Sequence, residues 1–315
     1  TVPTRSRDAG MVRPDAAAVG PLSAVSHPDD LPPLRAVITA LHLGAKKNLG
    51  QNFILDLNLT QRIAGLGGPL TNRVVIEVGP GPGGLTRALL LRDAAHVIAI
   101  ERDERVRPAL AQLDMAWPGK LTAVFDDAAA VDLPSLVAAL PAPLNDAPVS
   151  IIANLPYGIA TKLLTGWLEA PTWPPWFDTM VLMFQREVAD RIVATPGTKP
   201  YGRLAVLSQW RCHVERALTL KPEAFTPPPK VDSAVVVLRP RPTPEPATTP
   251  DALAAVTAAA FGQRRKMLRQ SLKALTPMPE LLLDRAGIDG TRRAETLGLD
   301  EFLTLAAAWS AAASG

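Results

Sequence analysis

Residues 77–84 read EVGPGPGG and lie between an apolar run and a helical pattern, an arrangement typical of nucleotide-like cofactor sites. Glycine allows a sharp strand-to-helix turn and lets the backbone approach a ligand closely. Gly79 and Gly81 are therefore candidate cofactor-binding residues. The spacing is G-x-G-x-G, but Gly84 also completes the G-x-G-x-x-G pattern of dinucleotide sites. A dehydrogenase, or a tight turn without a ligand, therefore stays open at this point.

Acidic residues follow the next two apolar runs. Glu101 comes 22 residues after Gly79, where a carboxylate can accept hydrogen bonds from both hydroxyls of a ribose. Asp127 follows the run after that and can accept from an adenine amino group, whereas its neighbour Asp126 can simply be exposed. Any cofactor that contains adenosine fits this pattern.

The tetrapeptide Asn154-Leu155-Pro156-Tyr157 ends the fourth apolar run and separates the alternatives. Proline stiffens the turn. The Asn154 side-chain oxygen and the Leu155 carbonyl can accept two hydrogen bonds from an exocyclic amine, and the Tyr157 ring can stack on a base. A base methyltransferase uses such a site, and a dehydrogenase does not. Taken alone, the tetrapeptide also fits an ordinary turn with a buried tyrosine.

The elements that must position these residues alternate between strand and helix patterns. Apolar runs that are buried on both faces are typical of parallel strands with helical crossovers. We expect a doubly wound α/β sheet whose final two strands pair antiparallel. The predicted strands are 74–78, 96–100, 121–125, 149–153, 179–184, 204–210 and 234–239.

Composition predicts three segments. Residues 1–33 are rich in Ala, Pro and Asp without a period, which predicts a flexible leader. The proline-rich stretch 241–250 marks a linker. We therefore expect a sheet domain over 34–242 and a small helical domain over 243–315, whose Ala/Leu-rich sequence has a 3.6-residue period.

Several classes of protein are disfavoured by composition. A single cysteine, Cys212, cannot form an internal disulfide, and the four histidines lack zinc-site spacing, so we expect no metal. No apolar run is long enough to span a membrane, and residues 1–30 do not read as a signal peptide. A cytoplasmic protein is expected.

Eight ordered blocks, which cover the chain from about Lys46 to its last helices, resemble the ribosomal RNA adenine N6-dimethyltransferases. The small-subunit (16S-type) branch is the most similar. The blocks are KKNLGQNFI (46–54), IEVGPGPGGLT (76–86), IAIERD (98–103), DDA (126–128), NLPYGIAT (154–161), FQREVADRI (184–192), FTPPPKVDSAVV (225–236) and FGQRRKMLRQSL (261–272).

This resemblance implies a class I methyltransferase fold and S-adenosylmethionine as cofactor. It implies that two adjacent adenosines near the 3′ end of 16S ribosomal RNA are dimethylated. We also expect a small-subunit assembly intermediate as the partner and a monomeric protein. Phe225 corresponds to a second stacking ring, although a proline-flanked ring can equally be core. Gly158 and Ala160 replace the family's more usual Asn and Ser, and Ile54 replaces Leu. The implied cofactor contacts are Asn52, Ile54, Gly79, Glu101, Asp127 and Asn154.

Positive charge is concentrated late in the chain. Residues 203–275 hold 12 Lys/Arg against 5 Asp/Glu, although the whole chain carries only +3. The pattern predicts a basic helix that opens the C-terminal domain and contacts RNA phosphates, with Leu268, Leu272 and Leu275 packed inward. A solvated amphipathic helix is the alternative. The candidate RNA-binding residues are Lys46, Lys47, Arg264, Arg265, Lys266, Arg269 and Lys273.

Two other functions remain open beside the 16S-type enzyme. The large-subunit adenine methyltransferases of macrolide resistance share the cofactor site and the Asn-Ile/Leu-Pro-Tyr motif, but block 261–272 resembles the small-subunit branch. A ribosome-assembly factor without turnover is disfavoured because Gly79, Glu101, Asn154 and Tyr157 are all present.

Overall fold

The computed structural model describes residues 25–43, 51–242 and 248–313. The strands, in chain order, are β1 (Phe53–Ile54), β2 (Val74–Val78), β3 (His96–Glu101), β4 (Leu121–Phe125), β5 (Val149–Ala153), β6 (Thr179–Gln185), β7 (Cys212–Leu220), β8 (Phe225–Thr226) and β9 (Ser233–Pro240). The helices are α1 (Leu34–Ala40), α2 (Leu57–Gly65), α3 (Gly84–Leu91), α4 (Arg107–Ala116), α5 (Leu133–Ala138), α6 (Tyr157–Leu168), α7 (Arg186–Ile192), α8 (Arg203–Arg211), α9 (Pro250–Gly262), α10 (Leu268–Ser271), α11 (Pro279–Ala286) and α12 (Leu299–Ala313).

The chain forms two compact units. Of the described residues, the first unit contains those up to Pro156 together with Pro222–Lys230, and the second contains Tyr157–Lys221 and those from Val231 onward. The predicted division at 242/243 does not coincide with this one, because α8 shares a buried apolar cluster with α9 and α12. Tyr201, Trp210 and Phe302 are among the large side chains of that cluster.

Parallel strands form the centre of the first unit. Their order is β4-β3-β2-β5, and β2 pairs in parallel with both β3 and β5. Every residue of β2, β3 and β5 is buried, which explains why these sequences are mostly apolar. In the second unit, β9 lies between β6 and β7 and is antiparallel to both. The predicted α/β class with an antiparallel final part is confirmed.

One predicted strand is wrong. Residues 204–210 lie in helix α8, and the strand that pairs with β9 at this position is β7. A short apolar run does not distinguish a buried helix from a strand by its period. Here Ala205, Val206 and Trp210 pack into the buried cluster with the C-terminal helices, and that packing stabilises the helix.

Part of the predicted leader is ordered. Pro28–Asp30 form a 3-10 helix whose first turn is capped by the His27 side chain, and Val25 is buried. The Arg87 guanidinium donates a hydrogen bond to the carbonyl of Pro32. The leader's first 24 residues lie outside the described part of the chain. Among the described residues, no helix combines the length and the hydropathy needed to cross a membrane.

Candidate active site

The polar residues singled out in the sequence meet at one edge of the parallel sheet. Gly79, Asp127 and Asn154 follow the last residues of β2, β4 and β5, and Glu101 is the last residue of β3. Parallel strands in register bring their carboxyl ends to the same edge, where α/β folds bind ligands. The pairings Val78↔Ile100 and Glu101↔Phe125 place these ends side by side.

The glycine-rich loop bends tightly over this edge. Gly79 and Gly81 have φ of +73° and +52°, in the left-handed region that side chains disfavour. The Gly79 amide donates to the Ile100 carbonyl at 2.9 Å. A Cβ added at Gly79 would lie 3.3 Å from Cδ of Pro156, so the loop backbone approaches the Asn154–Pro156 turn closely.

Glu101 organises the loop as well as the strand end. Its Oε1 accepts from the amides of Arg102 and Asp103, both at 2.8 Å, and its Oε2 accepts from the Gly81 amide at 3.0 Å. A carboxylate offers about four acceptor positions, so these three bonds leave about one for a ribose hydroxyl, whereas the sequence suggested that Glu101 accepts from both hydroxyls. Burial raises the pKa of Glu101, and the backbone hydrogen bonds oppose that rise.

Segment 51–54 is held against the same edge by Asp103, a contribution that the sequence analysis missed. The Gln51 side-chain amide donates to Asp103 Oδ2 at 3.0 Å. The Asp103 carboxylate also accepts from the Arg105 guanidinium, which holds the pKa of Asp103 at about 2. A Cβ added at Gly81 would lie 2.8 Å from the Phe53 ring. The position of Asp103 two residues after Glu101 is the sequence signal that could have revealed it.

The Asn154 amide has a defined orientation. Its Nδ2 donates to the Asn52 backbone carbonyl at 3.0 Å. The orientation of an asparagine amide follows from its hydrogen bonds. Because Nδ2 is the donor here, Oδ1 occupies the other terminal position of the planar amide, and it accepts no hydrogen bond in the part of the chain that the structure describes. Asn154 can therefore offer an acceptor to a ligand, and its role at the target amine stays a prediction.

Asp127 and Ile54 lie at the border of this site. Asp127 Oδ1 accepts from the Ala129 amide at 3.0 Å, while Oδ2 lies 3.8 Å from the Arg102 guanidinium. Ile54 is buried and pairs with Phe225 through the antiparallel strands β1 and β8. A Cβ added at Gly84 would lie 2.9 Å from the Ile54 carbonyl, so the backbone of Ile54 packs directly on the start of α3.

The two predicted stacking rings have different surroundings. Tyr157 is the first residue of α6 and is half-buried, and its hydroxyl shares a 2.5 Å hydrogen bond with Ser233 Oγ. Phe225 is only 3% exposed. Since the Phe225 ring is buried in this structure, its stacking role stays a prediction. The Leu155 side chain is also buried, and the role of the Leu155 carbonyl stays a prediction as well.

A second carboxyl group lies beneath the glycine-rich loop. Glu77 is in β2, is 1% exposed, and accepts a 2.6 Å hydrogen bond from the Thr86 hydroxyl of α3. Burial raises the pKa of Glu77 to about 8, with a smaller contribution from the negative charge of Glu101. Glu77 is therefore mostly protonated at pH 7, and it links the strand that precedes the loop to the helix that follows it.

The basic residues do not share one long helix. α9 ends at Gly262, so Arg264, Arg265 and Lys266 lie in the turn that follows, while Arg269 lies in the short helix α10. The predicted continuous helix is wrong here. The amides of Leu268 and Arg269 donate to the carbonyls of Arg292 and Gly290 at 2.8 and 3.0 Å, in place of helical i→i−4 bonds.

The charges of this segment remain accessible. All five predicted cations are exposed, and Lys273 lies in a 3-10 helix over Leu272–Ala274. Arg264 is also 3.7 Å from the Glu295 carboxylate. Leu268 and Leu272 are fully buried, as predicted. Lys46 and Lys47 lie outside the described residues.

The first unit fits an adenosine-containing cofactor at this edge. Two glycines at positive φ keep the loop backbone free of side chains, so a ligand can approach it. Glu101 keeps an acceptor position for a hydroxyl, and the Asp127 carboxylate is partly exposed. Among the described residues, no group of three metal-binding side chains is present.

Known proteins are similar to this chain over most of its length. The family model described as "Ribosomal RNA adenine dimethylase" matches residues 43–310. A Bradyrhizobium sp. (strain ORS 278) protein named ribosomal RNA small subunit methyltransferase A is 57% identical over 278 residues, which cover 88% of this chain and 94% of that protein. The protein of the same name from Mesorhizobium japonicum is 58% identical, with coverages of 88% and 98%.

Solved structures show the same fold. A dimethyladenosine transferase from Plasmodium falciparum has a TM-score of 0.63 at 25% identity and covers 78% of this chain and 93% of its own. The 23S rRNA methyltransferase ErmE has a TM-score of 0.59 at 26% identity, with coverages of 82% and 100%. The predicted methyltransferase fold is thereby confirmed. The family model spans most of the chain and relatives share more than half of its residues, so the chain belongs to the ribosomal RNA adenine dimethylase family.

Proposed function

We propose that this protein uses S-adenosylmethionine to dimethylate the N6 amino groups of two adjacent adenosines near the 3′ end of 16S ribosomal RNA. The name shared by its relatives, ribosomal RNA small subunit methyltransferase A, supports this substrate over the large-subunit alternative and over a factor without turnover. The observation that carries the chemistry is the Asn154 amide, whose nitrogen is engaged by Asn52 and whose oxygen is left for an amine.

The cofactor would be held by Gly79 and Gly81 through their backbone, by Glu101 at the ribose and by Asp127 at the adenine. The backbones of Asn52 and Ile54 complete the set. When bound, S-adenosylmethionine supplies an electrophilic methyl group on a sulfonium. Asp103 contributes indirectly, because its bond to Gln51 holds segment 51–54 in place.

Asn154 and the Leu155 carbonyl would act on the target amine. The lone pair of an adenine N6 amine is delocalised into the ring, which makes the amine a poor nucleophile. Two acceptors that hold the amine hydrogens favour a more pyramidal nitrogen with a localised lone pair. An amide oxygen is no general base, so the residues act through position and electrostatics, which can lower a barrier by roughly 7–11 kcal/mol. The displaced proton leaves to water.

Stacking would fix the plane of the target base. The Tyr157 ring is half-exposed at the start of α6, immediately after the Asn154–Pro156 turn. Pro156 restricts the backbone of that turn. Phe225 is included as the second stacking ring because of its place in the FTPPPKVDS block, although its ring is buried.

Phosphate contacts would position the ribosomal RNA. The exposed cations Arg264, Arg265, Lys266, Arg269 and Lys273 concentrate positive charge on the segment after α9. Phosphate contacts carry affinity and orientation without reading base identity. Lys46 and Lys47 belong to the same proposal on sequence grounds alone. The substrate would be a small-subunit assembly intermediate in the cytoplasm, with the enzyme acting as a monomer.

Methyl transfer from labelled S-adenosylmethionine tests the proposal. Small and large subunits are prepared from cells that lack the respective modification, and incorporated label and modified nucleosides are measured for each. We expect dimethyladenosine in the small subunit only. Label confined to the large subunit, or none in either subunit, would overturn the proposed substrate or activity.

A variant pair tests the site. Asn154→Ala should abolish transfer and leave subunit binding intact, because Asn154 meets the amine rather than phosphate. Asn58→Ala, an exposed asparagine in α2, is the matched control and should retain transfer. Turnover near that of the parent protein in Asn154→Ala would contradict the role assigned to its amide.

A further inference from the structure

Ser233 is a buried hydroxyl at a well-fixed position of the second unit. It is 0% exposed and is the first residue of β9, which lies between β6 and β7. The antiparallel pairing places Gln185 on one side of Ser233 and Leu220 on the other. A residue in a strand that is paired on both sides has little backbone freedom, so Ser233 offers a fixed anchor point.

The neighbouring residue strengthens this anchor. The Asp232 carbonyl accepts a hydrogen bond from the Arg186 amide at 2.9 Å. Its carboxylate lies 3.2 Å from Lys221 Nζ and 3.3 Å from the Arg186 guanidinium. These contacts join the start of β9 to the first residue of α7, directly after β6, and to the segment that follows β7. Ion pairs at this exposure add little stability singly, but together they restrict where the start of β9 can lie.

Tyr157 is tethered to this anchor at the far end of its ring. The hydroxyls of Tyr157 and Ser233 are 2.5 Å apart, although the residues are 76 positions apart in the chain. Burial raises the pKa of Tyr157, so its phenol is neutral at pH 7. Two neutral hydroxyls can form one hydrogen bond, in which either is the donor. The backbone fixes one end of the tyrosine side chain and Ser233 fixes the other, which sets the direction of the ring axis.

We infer that Ser233 is a positioning residue for methyl transfer, one that holds the Tyr157 ring in the orientation that receives the target base. The inference rests on the proposed contact between Tyr157 and that base. A stacking ring that is already ordered loses less side-chain entropy when the base arrives. Ser233 does not touch the substrate, so it acts only through Tyr157.

A double-mutant cycle tests this coupling. Ser233→Ala, Tyr157→Phe and the double variant are compared by single-turnover and steady-state methylation of small subunits. Tyr157→Phe keeps the aromatic ring but removes the tyrosine hydroxyl, so the hydrogen bond to Ser233 is lost without any substitution in β9. A hydrogen bond of ordinary net strength predicts a kcat about 3- to 10-fold lower in each single variant. The double variant should be no slower than the singles, with the cofactor Kd unchanged.

Ser208→Ala is the matched control. Ser208 is also 0% exposed in the second unit, but its hydroxyl has no hydrogen-bond partner among the described residues. Its removal should leave kcat unchanged. Thermal unfolding of all variants shows whether a loss of activity follows a loss of folded protein.

Tyrosine NMR gives a readout that does not depend on activity. The chain has two tyrosines, so protein labelled at tyrosine ¹³Cζ gives two signals, assigned with Tyr157→Phe. Ser233→Ala should shift the Tyr157 signal. The Tyr201 signal should stay in place, because its hydroxyl donates to the Leu297 carbonyl instead.

The outcomes separate the inference from the proposed function. An unmoved Tyr157 signal, a kcat of Ser233→Ala equal to that of Ser208→Ala, or losses that multiply in the double variant would each overturn the inference. If Ser233→Ala does not fold, parent-like turnover of Tyr157→Phe overturns it equally. Parent-like turnover of Tyr157→Ala would instead overturn the proposed contact between Tyr157 and the base, and the inference with it.

Discussion

Replacing Glu77 with glutamine is expected to stabilise the protein increasingly as pH rises from 4.5 to 8. The pKa of the buried Glu77 carboxyl is raised from its ordinary 4.5 to about 8. Between these values the folded protein keeps a proton that the unfolded chain has released. Unfolding then releases a proton, so the free energy of unfolding falls as pH rises through this range. Glutamine is neutral throughout and removes this dependence.

The size of the effect follows from the two pKa values. A range of about 3.5 pH units at 1.36 kcal/mol per unit sets an upper limit of about 5 kcal/mol at pH 8. Near pH 6.5, the free energy of unfolding of the parent relative to Glu77→Gln should fall by about 1.4 kcal/mol per pH unit. The glutamine side-chain oxygen can still accept from the Thr86 hydroxyl, so the comparison preserves the 2.6 Å hydrogen bond.

Urea unfolding of both proteins at several pH values between 4.5 and 8.5 measures this difference. Effects of titrating groups that do not interact with Glu77 cancel because the proteins differ at one position. Thr86→Val provides a second check: the hydrogen bond from Thr86 lowers the pKa of Glu77, so its removal should extend the pH-dependent range upward in the parent. In Glu77→Gln, the effect of Thr86→Val should not depend on pH. A free-energy difference between Glu77→Gln and the parent that is equal at pH 5 and pH 8 would refute the buried, protonated carboxyl.

Three further predictions concern ligands. Glu101→Ala should weaken binding of S-adenosylmethionine, because a bond to a charged acceptor contributes about 1.5–3 kcal/mol and the Gly81 amide also loses its partner; calorimetry with unchanged cofactor affinity would contradict this. Gly79→Ala should weaken cofactor binding more than Gly119→Ala. Both glycines have positive φ, but of the two only Gly79 has a close neighbour, Pro156. Equal losses in a binding titration would count against a close approach of the cofactor to the Gly79 backbone. In a triple Gln variant of the basic segment, subunit binding should weaken and the log-log salt slope should fall by somewhat under about 1 per lost phosphate contact. The cofactor affinity of this variant should not change, and an unaltered slope would favour a merely solvated surface. The positions replaced are Lys266, Arg269 and Lys273.

The sequence alone was sufficient to predict the strand ends that build the candidate site. Mostly apolar runs predicted β2 to β5, and residues that follow parallel strands must meet at one edge. Gly79, Glu101, Asp127 and Asn154 were found in this way, because the order of polar residues after apolar runs is local information. The family also followed from short blocks that are contiguous in the chain.

Tertiary structure decided the features that depend on partners distant in the chain. Residues 204–210 are apolar enough for a strand, but packing against the C-terminal helices makes them helix α8. Likewise, Leu268 and Arg269 donate to carbonyls 21 or more residues away, which ends the basic helix that local periodicity predicted.

The hydrogen-bond partners of the site residues are also distant in the chain, so the sequence did not predict them. Nothing near Tyr157 in the sequence indicates Ser233, and nothing near Asn154 indicates that the Asn52 carbonyl orients its amide. The protonation of Glu77 also depends on complete burial, which only the packed sheet and α3 produce. Residue types and their spacing determined which groups reach the sheet edge, whereas long-range packing determined how each group is oriented and charged there.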